Sequence, residues 1–220
     1  MISLGYHTTG GPDDGPPVVL LHALGSSART WAAFAAALPR QSIAVDLRGH
    51  GTSPHAGDYS FTTMADDVLA FLDEHGHAVV DLVGHSLGGA VAQFVAMAAP
   101  DRVRRMVVED ISPPPHEPVD LPEVPARTSE PIDFDWAVVE PVWRLVRTPN
   151  PAWWAGLEKI TADTLWLAGG AQSHIDQTRL REAAARMPSA RVVEVPVGHR
   201  IHSEAPEEFA AAVIPFLTTP

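Results

Sequence analysis

The segment Gly84-His85-Ser86-Leu87-Gly88 lies where one apolar run, Val79-Val80-Asp81-Leu82-Val83, gives way to another from Leu87 to Ala98. A chain with this junction is committed to a strand, a sharp turn and a helix folded back against the strand. Glycines two before and two after the serine omit the Cβ atoms that would hold strand and helix apart, and Gly89 and Ala90 extend the small-residue run. So tight a bend strains the backbone of its tip residue and lifts that side chain above the sheet edge. Ser86 is therefore the candidate nucleophile.

The rest of the chain alternates. Strands are expected over 2–7, 18–22, 42–46, 79–83, 103–108, 164–167 and 192–195. Val18 to His22 is the continuous apolar run of a strand buried on both faces. Helices are expected from Ser27 to Leu38, from Thr62 or Thr63 to Gly76, from Leu87 to Ala98, from Gln177 to Arg186 and from Glu207 to Leu217. Asp13-Asp14 reads as a turn. This order predicts an α/β fold: a mainly parallel central sheet of about seven strands with helices on both faces and reactive groups at the carboxyl ends of the strands. With 220 residues, 45% of them hydrophobic, a single domain over 1–220 is expected. One stretch breaks the rhythm. Ser112 to Pro131 is proline-rich, and an apolar helix kinked at Pro141 should follow from Asp135 toward Arg147. Residues 111–160 are read as a small lid, with Trp136 and Trp143 as candidate substrate-pocket residues.

Charge and composition narrow the function. A formal charge of −12 disfavours nucleic acid and anionic membrane surfaces, both of which need a basic footprint. The absence of cysteine excludes disulfides, thiolate nucleophiles and zinc–cysteine sites. No apolar run reaches the ~20 residues of a membrane span, and the first residues lack a basic segment before an apolar core, so a cytoplasmic protein is expected. No histidine pair has zinc-helix spacing, and neither metal nor other cofactor is expected. The expected partner is a small-molecule substrate, with a monomer as the default state.

Four ordered segments resemble the α/β-hydrolase family across nearly the whole chain. Besides the turn at Ser86, Leu21-His22-Ala23-Leu24-Gly25 resembles its His-Gly oxyanion segment. Asp46-Leu47-Arg48-Gly49-His50-Gly51-Thr52-Ser53 resembles its D-x-R-G-x-G-x-S loop. Gly198-His199-Arg200-Ile201-His202-Ser203-Glu204-Ala205-Pro206 resembles the segment bearing its histidine base. The resemblance implies the α/β-hydrolase fold and a serine hydrolase. It makes His199 the base, with His202 as the nearest competitor, and makes the backbone N–H groups of Leu24 and Leu87 the oxyanion donors. Ala23 stands where the family usually has glycine. Asp46 and Arg48 are read as an ion pair or turn organiser, and Asp66 and Asp67 as complementing a helix dipole.

The acid that orients the base is where the chain departs from the family. Its common place, the turn after Thr164 to Ala168, holds Gln172 and Ser173, neither of which carries negative charge; Asp176 lies beyond them and reads as a helix N-cap. Some members place the acid after the preceding strand, where this chain has Glu109-Asp110-Ile111-Ser112-Pro113. Strand alternation sends the two carboxylates to opposite faces. Glu109 is the expected triad acid by resemblance to members with a relocated glutamate. Asp110 is the alternative, through the Asp-x-x-Pro pattern, and a site using neither stays open. The expected chemistry is cleavage of a small carboxylic ester, thioester or lactone through an acyl-enzyme on Ser86. Carbon–carbon bond hydrolysis by the same Ser86–His199 dyad and non-catalytic ligand binding are the alternatives.

Overall fold

In the computed structural model, which describes residues 2–11, 15–120, 122–127, 129 and 131–219, seven strands form one sheet. They are β1 (Tyr6–Thr9), β2 (Val18–Leu21), β3 (Ser42–Val45), β4 (Val80–His85), β5 (Val103–Glu109), β6 (Asp163–Ala168) and β7 (Ala190–Glu194). Their spatial order is β1-β3-β2-β4-β5-β6-β7, with β1 antiparallel to β3 and every other pairing parallel. The Asp13-Asp14 turn lies outside the described residues. The first strand starts later than the expected 2–7. Gly5 is held by the 46–53 turn instead: its N–H donates to Ser53 Oγ (2.8 Å) and its carbonyl accepts from the Asp46 N–H (2.8 Å).

Among the described residues eight α-helices accompany the sheet: α1 (Ala32–Ala37), α2 (Phe61–Glu74), α3 (Leu87–Ala98), α4 (Val139–Leu145), α5 (Pro151–Gly156), α6 (Gln177–Arg186), α7 (Ile201–Glu204) and α8 (Pro206–Thr218). The strand period of two divides the core. Val19 and Leu21 of β2 point into a layer built with α2, α3 and α6, whereas Val18 and Leu20 point into one built from Trp31, Phe34 and the apolar face of α8. Each such fully buried side chain contributes about 1.5–3 kcal/mol. Ser60, rather than Thr62 or Thr63, caps α2, its Oγ accepting from the Thr63 N–H (3.1 Å).

Of the two readings of Asp46 and Arg48, an ion pair or a turn organiser, the contacts show the second for Asp46. Asp46 does not pair with Arg48; it accepts backbone N–H bonds from Ala28 (2.7 Å) and Thr52 (2.9 Å) and so ties two turns together. Arg48 makes a bidentate bond to Asp67 (2.6 and 2.8 Å), which is buried and faces inward from α2 rather than complementing its dipole.

The segment between β5 and β6 carries α4 and α5. Pro141 does not kink a helix: it lies in the first turn of α4, where its missing N–H has no acceptor to lose. Trp153 and Trp154 are buried beneath this segment. The Trp153 indole N–H donates to Gln93 Oε1 on α3 (2.9 Å) and pins the insertion to the body, while that of Trp154 donates to the Pro114 carbonyl (2.9 Å) and ties the two ends of the insertion together. Among the described residues, no helix is long and apolar enough to cross a membrane.

Candidate active site

Ser86 occupies the turn between β4 and α3 with φ 51° and ψ −113°, a left-handed backbone that non-glycine residues rarely adopt. The flanking glycines explain how the turn closes. A Cβ on Gly84 would lie 2.3 Å from the Gly88 carbonyl oxygen, and one on Gly88 would lie 2.1 Å from the Leu21 carbonyl oxygen. The turn is held by the Ser86 N–H donating to the Glu109 carbonyl (2.9 Å) and the Gly88 N–H donating to the His22 carbonyl (3.0 Å).

His199 follows β7 through Gly198, whose φ of 93° and N–H bond to the Gly169 carbonyl (3.0 Å) set the loop. Its Nδ1 lies 2.8 Å from Asp110 Oδ2. The expected acid, Glu109, does not reach His199. As the last residue of β5 it shares the sheet face of Val107, and there it accepts from the His202 backbone N–H (2.9 Å) and from His202 Nδ1 (2.8 and 3.0 Å). Asp110, one residue past the strand with φ 43°, turns over the sheet edge instead. Its Oδ1 accepts from the Gly169 N–H (2.8 Å) and Gln177 Nε2 (3.0 Å), and its Oδ2 accepts from the Ser173 hydroxyl as well as from His199. Burial works to raise the Asp110 pKa, but the hydrogen bonds from His199, Ser173, Gly169 and Gln177 outweigh it and hold the carboxyl below the usual range.

Asp110, Ser173 and Gln177 explain the departure from the family's pattern. The residues after β6 supply hydrogen-bond donors to the carboxylate that pairs with His199, which stands one residue past β5. The signal was present in the sequence as two uncharged polar residues at the vacant acid position, Gln172 and Ser173.

The remaining histidines have defined jobs. His22 Nε2 accepts from the Leu47 N–H (3.0 Å) while Nδ1 donates to the Ala23 carbonyl (2.8 Å); His50 Nε2 accepts from the Gly25 N–H (3.1 Å) while Nδ1 donates to the Arg48 carbonyl (3.0 Å). Both rings are thus neutral supports of the 22–25 segment, and burial, reinforced by His50, lowers the His22 pKa to about 3. His85 donates through Nε2 to the His199 carbonyl (2.7 Å) and is lowered by burial to about 4. His85, Glu109 and His202 bring potential metal-ligand atoms within 4.8 Å of one another. Those atoms are already committed, His202 Nε2 to the Thr30 hydroxyl (2.9 Å) and the others as above, so the group reads as a hydrogen-bonded brace behind His199.

Ser86 and His199 open into one cavity of about 740 Å³, which Leu24, Leu87 and Trp143 also line. Trp136 does not reach it. That ring lies against Phe134 (centroids 5.9 Å apart) and faces a separate depression beside Val124 and Arg144. Two cavity residues escaped the sequence reading. His174 packs against the His199 ring (4.3 Å), and burial together with the neighbouring His199 lowers its pKa. Arg147, just past α4, is the other.

Comparison with known proteins agrees with this fold. The family model described as alpha/beta hydrolase fold matches residues 16–137. The sn-1-specific diacylglycerol lipase ABHD11 of Mus musculus is 31% identical over an alignment spanning 98% of this chain and 85% of that protein. Lipase LipV of Mycobacterium tuberculosis is 40% identical over 46% of this chain and 39% of its own length. The crystal structure of a hydrolase from Pseudomonas aeruginosa PA01 superposes with a TM-score of 0.77 at 26% identity, covering 99% of this chain and 95% of that one. With its sheet order, its serine turn, a family model over more than half its length and a relative aligned to nearly all of it, this chain belongs to the α/β-hydrolase family.

Proposed function

We propose that this protein hydrolyses carboxylic esters through an acyl-enzyme on Ser86, with His199 as general base and Asp110 as the orienting acid. One observation carries the reading: a strained serine and a histidine paired to a buried carboxylate open into the same cavity. Relatives named as lipases support ester substrates.

Asp110 Oδ2 accepts the Nδ1 proton of His199, which leaves Nε2 as the basic nitrogen. The Ser86 hydroxyl attacks the ester carbonyl as its proton passes to Nε2. The carbonyl oxygen becomes an oxyanion, stabilised by the N–H of Leu87, the first residue of α3, and by that of Leu24; each donor contributes on the order of 3 kcal/mol to the barrier reduction. Collapse breaks the bond to the alcohol, which leaves with the proton from Nε2. Water then repeats the sequence on the acyl-enzyme, yielding a carboxylic acid and free Ser86. Val142, Trp143 and Val146 supply an apolar wall for the acyl or alcohol chain.

The test is intact-mass labelling with a fluorophosphonate on wild type, Ser86→Ala and His199→Ala. A single adduct in wild type, absent from both variants, is expected. A folded wild-type protein that forms no adduct and turns over no activated ester would refute the proposal.

A further inference from the structure

The chain carries an excess of acid, 27 Asp and Glu against 15 Lys and Arg, yet the wall of the Ser86 cavity presents three arginines, Arg147, Arg179 and Arg200. Two of these are neutralised locally: Arg179 Nε pairs with Asp176 (3.0 Å) and Arg200 with Glu204 (2.7 Å). Arg147 is different. Among the described residues it makes no ion pair; its guanidinium lies over the Trp143 indole, 4.5 Å from the ring centroid, and donates through Nη1 to the Trp143 carbonyl (3.2 Å).

A half-buried guanidinium has lost part of its hydration, and burial here lowers the Arg147 pKa. An indole face and a peptide carbonyl return only part of that loss, because neither carries charge and five N–H donors need acceptors. The second arginine of this wall is also incompletely served: Arg179 Nη1 is buried and has no hydrogen-bond partner among the described residues. His174, packed against the His199 ring, lines the same cavity as Arg147 and Ser86, so the guanidinium and the reacting groups share one space. Arg147 differs from the other two arginines lining the Ser86 cavity in having no ion pair among the described residues, and a negative group on a bound substrate can reach it there.

Resting on the ester-hydrolase reading above, we infer that Arg147 recognises a carboxylate carried by the substrate, so that the preferred substrates are anionic esters such as monoesters of dicarboxylic acids. A planar guanidinium matches a carboxylate in a two-pronged bond, and Trp143 beneath it fixes its plane. Catalysis is unchanged by the added group. The ester bond breaks as before, and the distal carboxylate enters and leaves ionised.

The experiment compares kcat/KM for two matched pairs. In the first, the 4-nitrophenyl monoester of adipic acid is set against the ester whose distal carboxylate is replaced by an isopropyl group. In the second, the same replacement is made on the alcohol side of a butyrate ester. A charge-assisted bond corresponds to about 10- to 100-fold. At least a tenfold preference for the anionic member of one pair is expected in wild type. That ratio should fall toward unity in Arg147→Met and be partly restored in Arg147→Lys; a tenfold preference that persists in folded Arg147→Met would overturn the role of Arg147, and if Arg147→Met does not fold, Arg147→Lys and Arg147→Gln are compared in its place. Turnover of the neutral esters with no preference in either pair would overturn the inference and leave the hydrolase reading intact. No turnover of any of the four, with no fluorophosphonate adduct on Ser86, would overturn both.

Discussion

Replacing Asp110 with asparagine tests the site at its most constrained atom. Asp110 Oδ1 is fixed by two obligate donors, the Gly169 N–H and Gln177 Nε2, so the carbonyl oxygen of an asparagine must take that place. Its NH2 then falls at the Oδ2 position, 2.8 Å from His199 Nδ1. Two N–H groups cannot face each other, so the imidazole takes the tautomer protonated at Nε2, and the nitrogen nearest the serine becomes a donor that cannot accept its proton. In serine–histidine–aspartate triads a wrong tautomer of this kind lowers kcat about 10⁴-fold, roughly 5.5 kcal/mol of barrier. Steady-state hydrolysis of a 4-nitrophenyl ester by Asp110→Asn reads the loss, and ¹⁵N shifts of the His199 ring read the tautomer. A decrease of less than tenfold, with the Nδ1-protonated tautomer retained, would refute the assignment of Asp110.

Further outcomes follow from the same contacts. Glu109→Gln removes the charge from a buried bond to His202 and should cost about 1–3 kcal/mol in denaturant unfolding, while esterase activity of the folded variant stays within about tenfold of wild type, far from the Asp110→Asn loss. Gly88→Ala puts a Cβ 2.1 Å from the Leu21 carbonyl, a backbone atom that cannot step aside, and should abolish soluble expression or cost more than about 3 kcal/mol; Gly57→Ala, with nothing within 4 Å, should stay within about 0.5 kcal/mol. His22 and His85 titrate near 3 and 4 when folded against 6.5 for a free imidazole, so the unfolded chain binds protons that the folded one does not. Stability is therefore full above pH 6.5 and falls as pH drops toward 4, by up to about 1.4 kcal/mol per pH unit for each histidine. Urea midpoints measured between pH 7 and pH 4.5 check the slope, and a flat profile would contradict it.

The sheet and the serine turn were legible because their causes are local. The period of two in β2, the glycines around Ser86 and the alternation of strands with helices each act within a few residues, and the structure departs from them only at ends, as where Gly5 is drawn away from the first strand. The carboxylate that pairs with His199 was not legible, because the choice between Glu109 and Asp110 depends on residues far along the chain, Gly169, Ser173, Gln177, His199 and His202. Alternation told correctly that the two carboxylates diverge. It could not tell which face His199 would approach. Glu109 inherits the inward face of β5 and meets His202, which leaves it no path to the sheet edge. Asp110 lies past the ladder and takes a left-handed backbone that a residue within the strand could not adopt without breaking the pairing of Glu109 with Leu167. Ser173 and Gln177, on the far side of β6, then give Asp110 the donors that keep it ionised. The same logic covers the pocket. Trp143 and Trp136 are alike as sequence, but Trp143 lines the cavity while Trp136 packs against Phe134 outside it, and Arg147 is informative only once Asp176 and Glu204 are seen paired elsewhere. The residues that identify the family therefore lie in short motifs, whereas the carboxylate beside His199 and the Arg147 guanidinium in the cavity wall are set by which long-range partners have already been taken.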